Sequence, residues 1–174
     1  SNNSPQTTSS AVTNANEDSS YTYSLNATDA DSGDTITYSA SILPSWLSLN
    51  SSSGVLSGTP TNADVGTHAV VLLATDNHGA ADIQSFKITV SNVNDTPTVT
   101  STAITAATKN SAYSYTFAAS DVDSGDTITY AATTLPSWLS INSSTGVLSG
   151  TPSNSHLGTH SVVLTATDRG GAVD

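Results

Sequence analysis

Apolar residues in this chain recur at every second position over short stretches, the spacing of strands with one face in a core. Tyr21-Thr22-Tyr23-Ser24-Leu25 alternates in this way, and Thr35–Ser39 repeats the alternation with Ile36 and Tyr38. Trp46-Leu47-Ser48-Leu49 follows Pro44, which favours an extended lead-in, and the Ser-rich turn Asn50–Gly54 leads into Val55-Leu56. The longest strand signals are His68–Thr75 and Ile83–Val90, the second with Phe86, Ile88 and Val90 on one face. Gly33, Gly54, Gly66 and Gly79 separate these runs. No window has helical periodicity. Roughly seven short strands with frequent turns predict an all-β, antiparallel Greek-key sandwich. The expected core of the first half includes Tyr23, Leu25, Tyr38, Leu47, Leu72 and Ala74.

The pattern then occurs a second time. Shifting the chain by 92 residues lays Tyr21–Asp82 on Tyr113–Asp174 without a gap, with about two-thirds of positions identical. The blocks DSGDTITY (Asp31–Tyr38, Asp123–Tyr130), LPSWLS (Leu43–Ser48, Leu135–Ser140) and GVLSGTP (Gly54–Pro60, Gly146–Pro152) carry the match. A period this long is that of a small domain, not of a solenoid unit. The expected organisation is the end of a preceding linker at 1–5, a first module at 6–96 and a second at 97–174. Asn2-Asn3-Ser4-Pro5 matches Asn94-Asp95-Thr96-Pro97, and the second copy has no counterpart of Ile83–Val90. This frame predicts a piece of a longer array whose second module lacks its last strand. Modules joined at Asn92–Pro97 are expected to form an elongated rod.

Fourteen acidic residues against three Lys and Arg give a formal charge of −11. Nucleic acid and anionic membrane surfaces need a basic face, so both are excluded as partners. The balance fits a multivalent cation. With no cysteine, disulfides and thiolate metal sites are ruled out, and a small exported module then needs another staple.

Oxygen donors cluster at expected strand ends and the linker: Glu17, Asp29, Asp31, Asp76 and Asn92-Val93-Asn94-Asp95, with Asp121, Asp123 and Asp168 in the second copy. Calcium takes six to eight oxygen ligands, which carboxylates and amide carbonyls supply. An Asp-x-Asp in extended backbone sends both side chains to one side. A single Asp at such a place more often caps backbone amides; the set as a whole favours metal. Asp34 is expected to be a surface-turn carboxylate outside it.

These residues carry a resemblance. The chain resembles cadherin-type repeats, and within them the dystroglycan-type cadherin-like modules, also described as putative-Ig repeats, of large bacterial surface proteins. Ala27–Gly33 looks like the cadherin Asp-x-Asp motif, Ala74-Thr75-Asp76 like its Ala-x-Asp, and Asn92–Pro97 like its Asp-x-Asn-Asp-Asn-x-Pro linker. LPSWLS and GVLSGTP mark the dystroglycan-like branch. The resemblance implies calcium at module junctions. It assigns Glu17, Asn94 and Asp95 from the first module with Asp121, Asp123 and Asp168 from the second, and turns Asp29, Asp31 and Asp76 toward a preceding module. Asn92 and Thr96 depart from the family's Asp and Asn. The Leu-Asp-x-Glu motif is absent, with Asn62 or Asp64 as partial substitutes in its region, and Lys109 stands at the position of Glu17. Fewer charged ligands imply weak binding, toward the ~10⁻⁴–10⁻³ M of extracellular modules.

The implied function is a calcium-stiffened stalk or adhesion segment of an exported surface protein, with neighbouring repeats and a cell-surface protein or polysaccharide as partners and no membrane insertion. The rival is a calcium-dependent polysaccharide-binding module using Trp46 and Trp138, although a Trp inside Pro-x-Trp-Leu is more often packing. His68 and His160 have no ligand partner at recurrent spacing, and no Gly-x-Ser-x-Gly or phosphate loop occurs. No enzyme activity is expected. Lys87 and Lys109 fall at non-equivalent positions, which argues against a recurrent isopeptide staple.

Overall fold

Each apolar alternation becomes a strand, and short polar segments supply several more. The computed structural model describes residues 1–174 as two units, Ser1–Val93 and Asn94–Asp174. In the first unit β1 is Gln6–Thr7, β2 Asn14–Asn16, β3 Tyr21–Ser24, β4 Ala27–Thr28 and β5 Ile36–Ile42. Then follow β6 (Leu47–Leu49), β7 (Val55–Gly58), β8 (Gly66–Asp76) and β9 (Ala81–Ser91). One sheet has the order β3-β7-β6 and the other β2-β9-β8-β5, with β1 paired to β4. Tyr23 and Leu56 from the first sheet, with Leu25 just beyond β3, meet Val70, Leu72, Ile88 and Val90 from the second in one core. Burial of such side chains contributes about 1.5–3 kcal/mol each.

Two differences from the sequence reading have physical causes. Tyr38 is half-buried, because β5 is the edge of its sheet and the ring lies across Gly54, where a Cβ would stand 3.2 Å from it. Five of the six expected core residues are buried. The second difference is β2, which has no apolar alternation and runs parallel to β9, pairing Asn14–Asn16 with Thr89–Ser91.

Gly54 explains why the Ser-rich turn ends where it does. Its φ is +74°, and a Cβ there would lie 2.3 Å from the Leu25 carbonyl oxygen. Only glycine takes both the left-handed backbone and the close approach without strain. Asn50 Oδ1 accepts the Ser52 and Ser53 amides and holds the turn.

The second unit repeats the plan with β10 (Thr98–Val99), β11 (Tyr113–Thr116), β12 (Ala119–Ser120), β13 (Thr129–Thr134), β14 (Leu139–Ile141), β15 (Val147–Gly150) and β16 (Val163–Thr167). Its sheets are β11-β15-β14, β13-β16 and β10-β12. Tyr115, Phe117, Leu139, Leu148 and Ala166 form the core. In the first unit Val70 lies opposite Phe86 of β9 and is fully buried, whereas its counterpart Val162 is 38% exposed.

Candidate metal centres

In each unit the leading linker is tied to two aspartates by the same pair of hydrogen bonds. Asn2 Nδ2 donates to Asp76 Oδ2 at 2.8 Å, and the Asn3 amide donates to Asp31. In the second unit Asn94 Nδ2 donates to Asp168 Oδ2 at 2.8 Å, and the Asp95 amide to Asp123 Oδ2 at 2.7 Å. The Asp-x-Asp is braced internally, since the Asp31 amide donates to Asp29 Oδ1 and the Asp123 amide to Asp121 Oδ1, both at 2.8 Å. The aspartate that ends β8 accepts the amides of His78 and Ala80 on Asp76 Oδ1; Asp168 Oδ1 accepts the Ala172 amide. Asp76, Asp123 and Asp168 are buried. The Asn2 amide, with help from the Ala80, His78 and Gly79 amides, holds Asp76 below the usual carboxylate range. Burial pushes Asp168 the other way, but Asn94 and the Ala172, Gly171 and Gly170 amides outweigh it and leave the group depressed.

What those donors leave over is the informative part. Asp29 Oδ2 and Asp121 Oδ2 are buried with no hydrogen-bond partner, a costly state for a carboxylate oxygen unless a cation faces it. Oxygens of Asp29, Asp31 and Asp34 lie within 4.8 Å of one another, as do those of Asp121, Asp126 and Asp168. Glu17 is fully buried; its Oε1 accepts the Val93 amide, and its Oε2 has no partner. An all-oxygen set of clustered carboxylates with bare buried atoms is the donor chemistry of a hard divalent cation such as calcium.

The clusters contain two aspartates that the expected set did not, Asp34 and Asp126. Asp34 does not stand apart: the turn Asp31–Asp34 closes with the Asp34 amide on the Asp31 carbonyl at 3.3 Å, and Gly33 at φ +96° folds the carboxylate back onto Asp29 and Asp31. Asp126 enters the second cluster through the same turn, where the Asp126 amide meets the Asp123 carbonyl at 3.2 Å. The signal was available as Asp-Ser-Gly-Asp in both copies, an i, i+3 pair across a glycine turn. Asp64 belongs to none of these clusters, and its Oδ2 accepts both the amide and the hydroxyl of Thr61.

The other candidates pack against or bond to their own repeat. Trp46 packs edge-on to Tyr21 and Trp138 to Tyr113 at 5.8 and 5.9 Å, each half-buried against its core. His68 Nε2 and His160 Nε2 bond the carbonyls of Asp64 and His156, at 2.6 and 2.7 Å, bracing one turn in each repeat.

Comparison with known proteins agrees with this architecture. Curated relatives include the serine-rich adhesin for platelets of Staphylococcus aureus strain MRSA252, 35% identical over 149 residues, covering 84% of this chain and 10% of the adhesin. In strain MW2 the same share of the chain matches 6% of the adhesin, so the chain spans a small part of these proteins. Among solved structures, protocadherin gamma B2 extracellular domains 1–5 superimpose with TM-score 0.64 at 18% identity, over 98% of this chain and 37% of that one. Mouse Cadherin-23 does so with TM-score 0.58 at 19% identity, over 99% and 64%. Both share the fold. The family model described as "Putative Ig domain" matches residues 4–91 and 96–174, and the chain belongs to that family, carrying two of its repeats.

Proposed function

We propose that the two repeats are a calcium-binding, non-enzymatic segment of an exported adhesin-type surface protein. The observation that carries this reading is the pair of bare, buried aspartate oxygens, Asp29 Oδ2 and Asp121 Oδ2, each inside a three-carboxylate cluster. Asp121, Asp126 and Asp168 would hold the ion in the second repeat, with Asp123, Asn94 and Asp95 shaping the site. Asp29, Asp31 and Asp34, with Asp76 and Asn2, are the counterparts in the first. Glu17 is a further donor by the same criterion. Calcium would supply charge neutralisation, removing repulsion that the repeats otherwise carry.

The linker is where this would have a mechanical effect. Val93, Asn94 and Asp95 are consecutive, and each is already fixed by an acidic side chain: Glu17, Asp168 and Asp123 respectively. Cations held by each repeat's own carboxylates would stiffen the linker residues tied to them, and the segment would then act as a stalk or as adhesive surface outside the cell. Trp46 and Trp138 are each half-buried against a core, which leaves less aromatic surface for stacking on a sugar and favours this reading over polysaccharide binding.

Titration calorimetry of the parent and of Asp123→Ala with calcium tests it, alongside small-angle scattering with and without the metal. Millimolar or tighter binding that Asp123→Ala weakens about 10–100-fold is expected. No heat at several millimolar calcium, or equal binding by the variant, refutes it.

A further inference from the structure

The two repeats build the same turn with different acceptors. In the first, the single-turn 3₁₀ segment Asn62–Asp64 is closed by Asp64 Oδ2, which accepts the Thr61 amide at 2.8 Å and the Thr61 hydroxyl at 2.9 Å. In the second, the segment is Asn154–His156, and the acceptor is His156 Nδ1, 2.9 Å from the Ser153 amide nitrogen and 3.2 Å from its hydroxyl. A backbone amide can only donate. Nδ1 therefore carries no proton in this arrangement, and the imidazole is the neutral Nε2–H tautomer. Adding a proton at Nδ1 puts a donor against a donor and deletes the bond. A carboxylate keeps accepting through the pH range in which an imidazole ordinarily titrates.

We propose that His156 is a proton-operated latch on the Ser153–Leu157 turn of the second repeat, closed by the neutral ring and released by its protonation, while the matching turn of the first repeat stays shut. The surroundings decide what release looks like. His156 lies over Trp138 with ring planes 28° apart and centroids at 6.3 Å, and Trp138 also meets the edge of His160 at 6.1 Å. The titratable groups around the turn are His160, whose Nε2 bonds the His156 carbonyl, and Lys109, whose Nζ donates to Asn154 Oδ1 at 2.9 Å. Neither supplies a carboxylate to hold the imidazolium. The protonated Nδ1–H can still donate to the Ser153 hydroxyl oxygen at 3.2 Å and the indole face attracts the cationic ring, so protonation breaks the bond from the Ser153 amide while the ring stays beside Ser153 and Trp138. The turn loosens and the repeat stays folded.

The first repeat is an internal control in the same tube. Uniformly ¹⁵N-labelled protein is titrated by NMR from about pH 7.5 to 5, the range of imidazole titration. The Ser153 amide and the Trp138 indole N–H should shift together with the His156 ring. Exchange protection of Ser153, corrected for intrinsic rate, should fall about fivefold, as loss of one ordinary hydrogen bond implies. The Thr61 amide should not respond. His156→Asp should make Ser153 behave like Thr61, and Asp64→His should give Thr61 the pH response. A Ser153 amide that ignores His156 titration, or one that keeps its response in His156→Asp, overturns the latch.

Discussion

Replacing Asp121 by Asn should stabilise the metal-free second repeat and abolish its response to calcium, two effects of opposite sign from one substitution. Asn retains a carbonyl oxygen to accept the Asp123 amide, as Asp121 Oδ1 does at 2.8 Å. It replaces the bare Oδ2 with an NH₂ that can donate to the neighbouring carboxylates. Oxygens of Asp121, Asp126 and Asp168 lie within 4.8 Å of one another. At that separation like charges repel by about 1 kcal/mol at the dielectric of water and about 3.5 kcal/mol at an effective dielectric of 20. Neutralising Asp121 removes two of the three pairs, so a net gain of about 1–3 kcal/mol is expected in chelator, shrinking as salt is added. The parent gains about 2.7 kcal/mol from calcium at 100 times its Kd, a gain the variant should lack. Thermal unfolding of both proteins, in chelator and in excess calcium, measures all four states. If Asp121→Asn is less stable than the parent in chelator, the cluster is a hydrogen-bonded cap rather than a strained metal cage. Equal calcium shifts for both proteins would refute the ligand assignment.

Leu56→Ala, at a fully buried position, should cost about 3–5 kcal/mol through lost contacts and a cavity, read as a fall in denaturant midpoint; under 1 kcal/mol would mean the two sheets are not packed as described. The Asp82 carboxyl is held below its ordinary value, first by the Thr7 amide that donates to it at 2.7 Å. Its contribution should thus be complete above the ordinary aspartate value of about 3.9 and vanish as pH falls through the lower folded value, so Asp82→Ala should flatten the acid limb of the first repeat's stability curve below about pH 4. Fusing a copy of Ile83–Ser91 behind Asp174 should raise the melting temperature of the second repeat by covering Val162, 38% exposed at present, and an unchanged transition would show that no strand docks there.

Long-range organisation was legible because it rests on periodicity. Alternation located β3, β5, β6, β7, β8 and β9, and the 92-residue repeat transferred all but β9 to the second half. Strands of two or three polar residues were not legible: β2 reads Asn-Ala-Asn and exists because β9 offers it an edge, a tertiary cause. Of the aspartates that the resemblance singled out, Asp31, Asp76, Asp123 and Asp168 are hydrogen-bonded to the leading linker of their repeat, and Asp29 and Asp121 brace the Asp-x-Asp from within. Asp34 and Asp126 were missed because side-chain direction in a turn depends on the positive φ of the preceding glycine, not on alternation. The His156 latch left no trace in any periodic pattern; only the exchange of Asp64 for His156 between otherwise matching blocks marks it.

The parallel pair β2–β9 has a consequence for a repeat that carries load. Strand β2 lies near the chain's way in and β9 at its way out, and they run side by side in the same direction, bracketed by Thr89 N to the Thr13 carbonyl at 2.9 Å and Glu17 N to the Ser91 carbonyl at 3.1 Å. Tension drawing the two ends apart slides these strands lengthwise, so all the bridging bonds are strained at once. In an antiparallel hairpin such as β8–β9, pulling on the two free ends would open the bonds one after another from the open end toward the turn. Force thus meets the first repeat in shear, the geometry in which short bonds resist together. The Glu17 carboxylate, by gripping the Val93 amide, lengthens that clamp by one rung beyond the sheet.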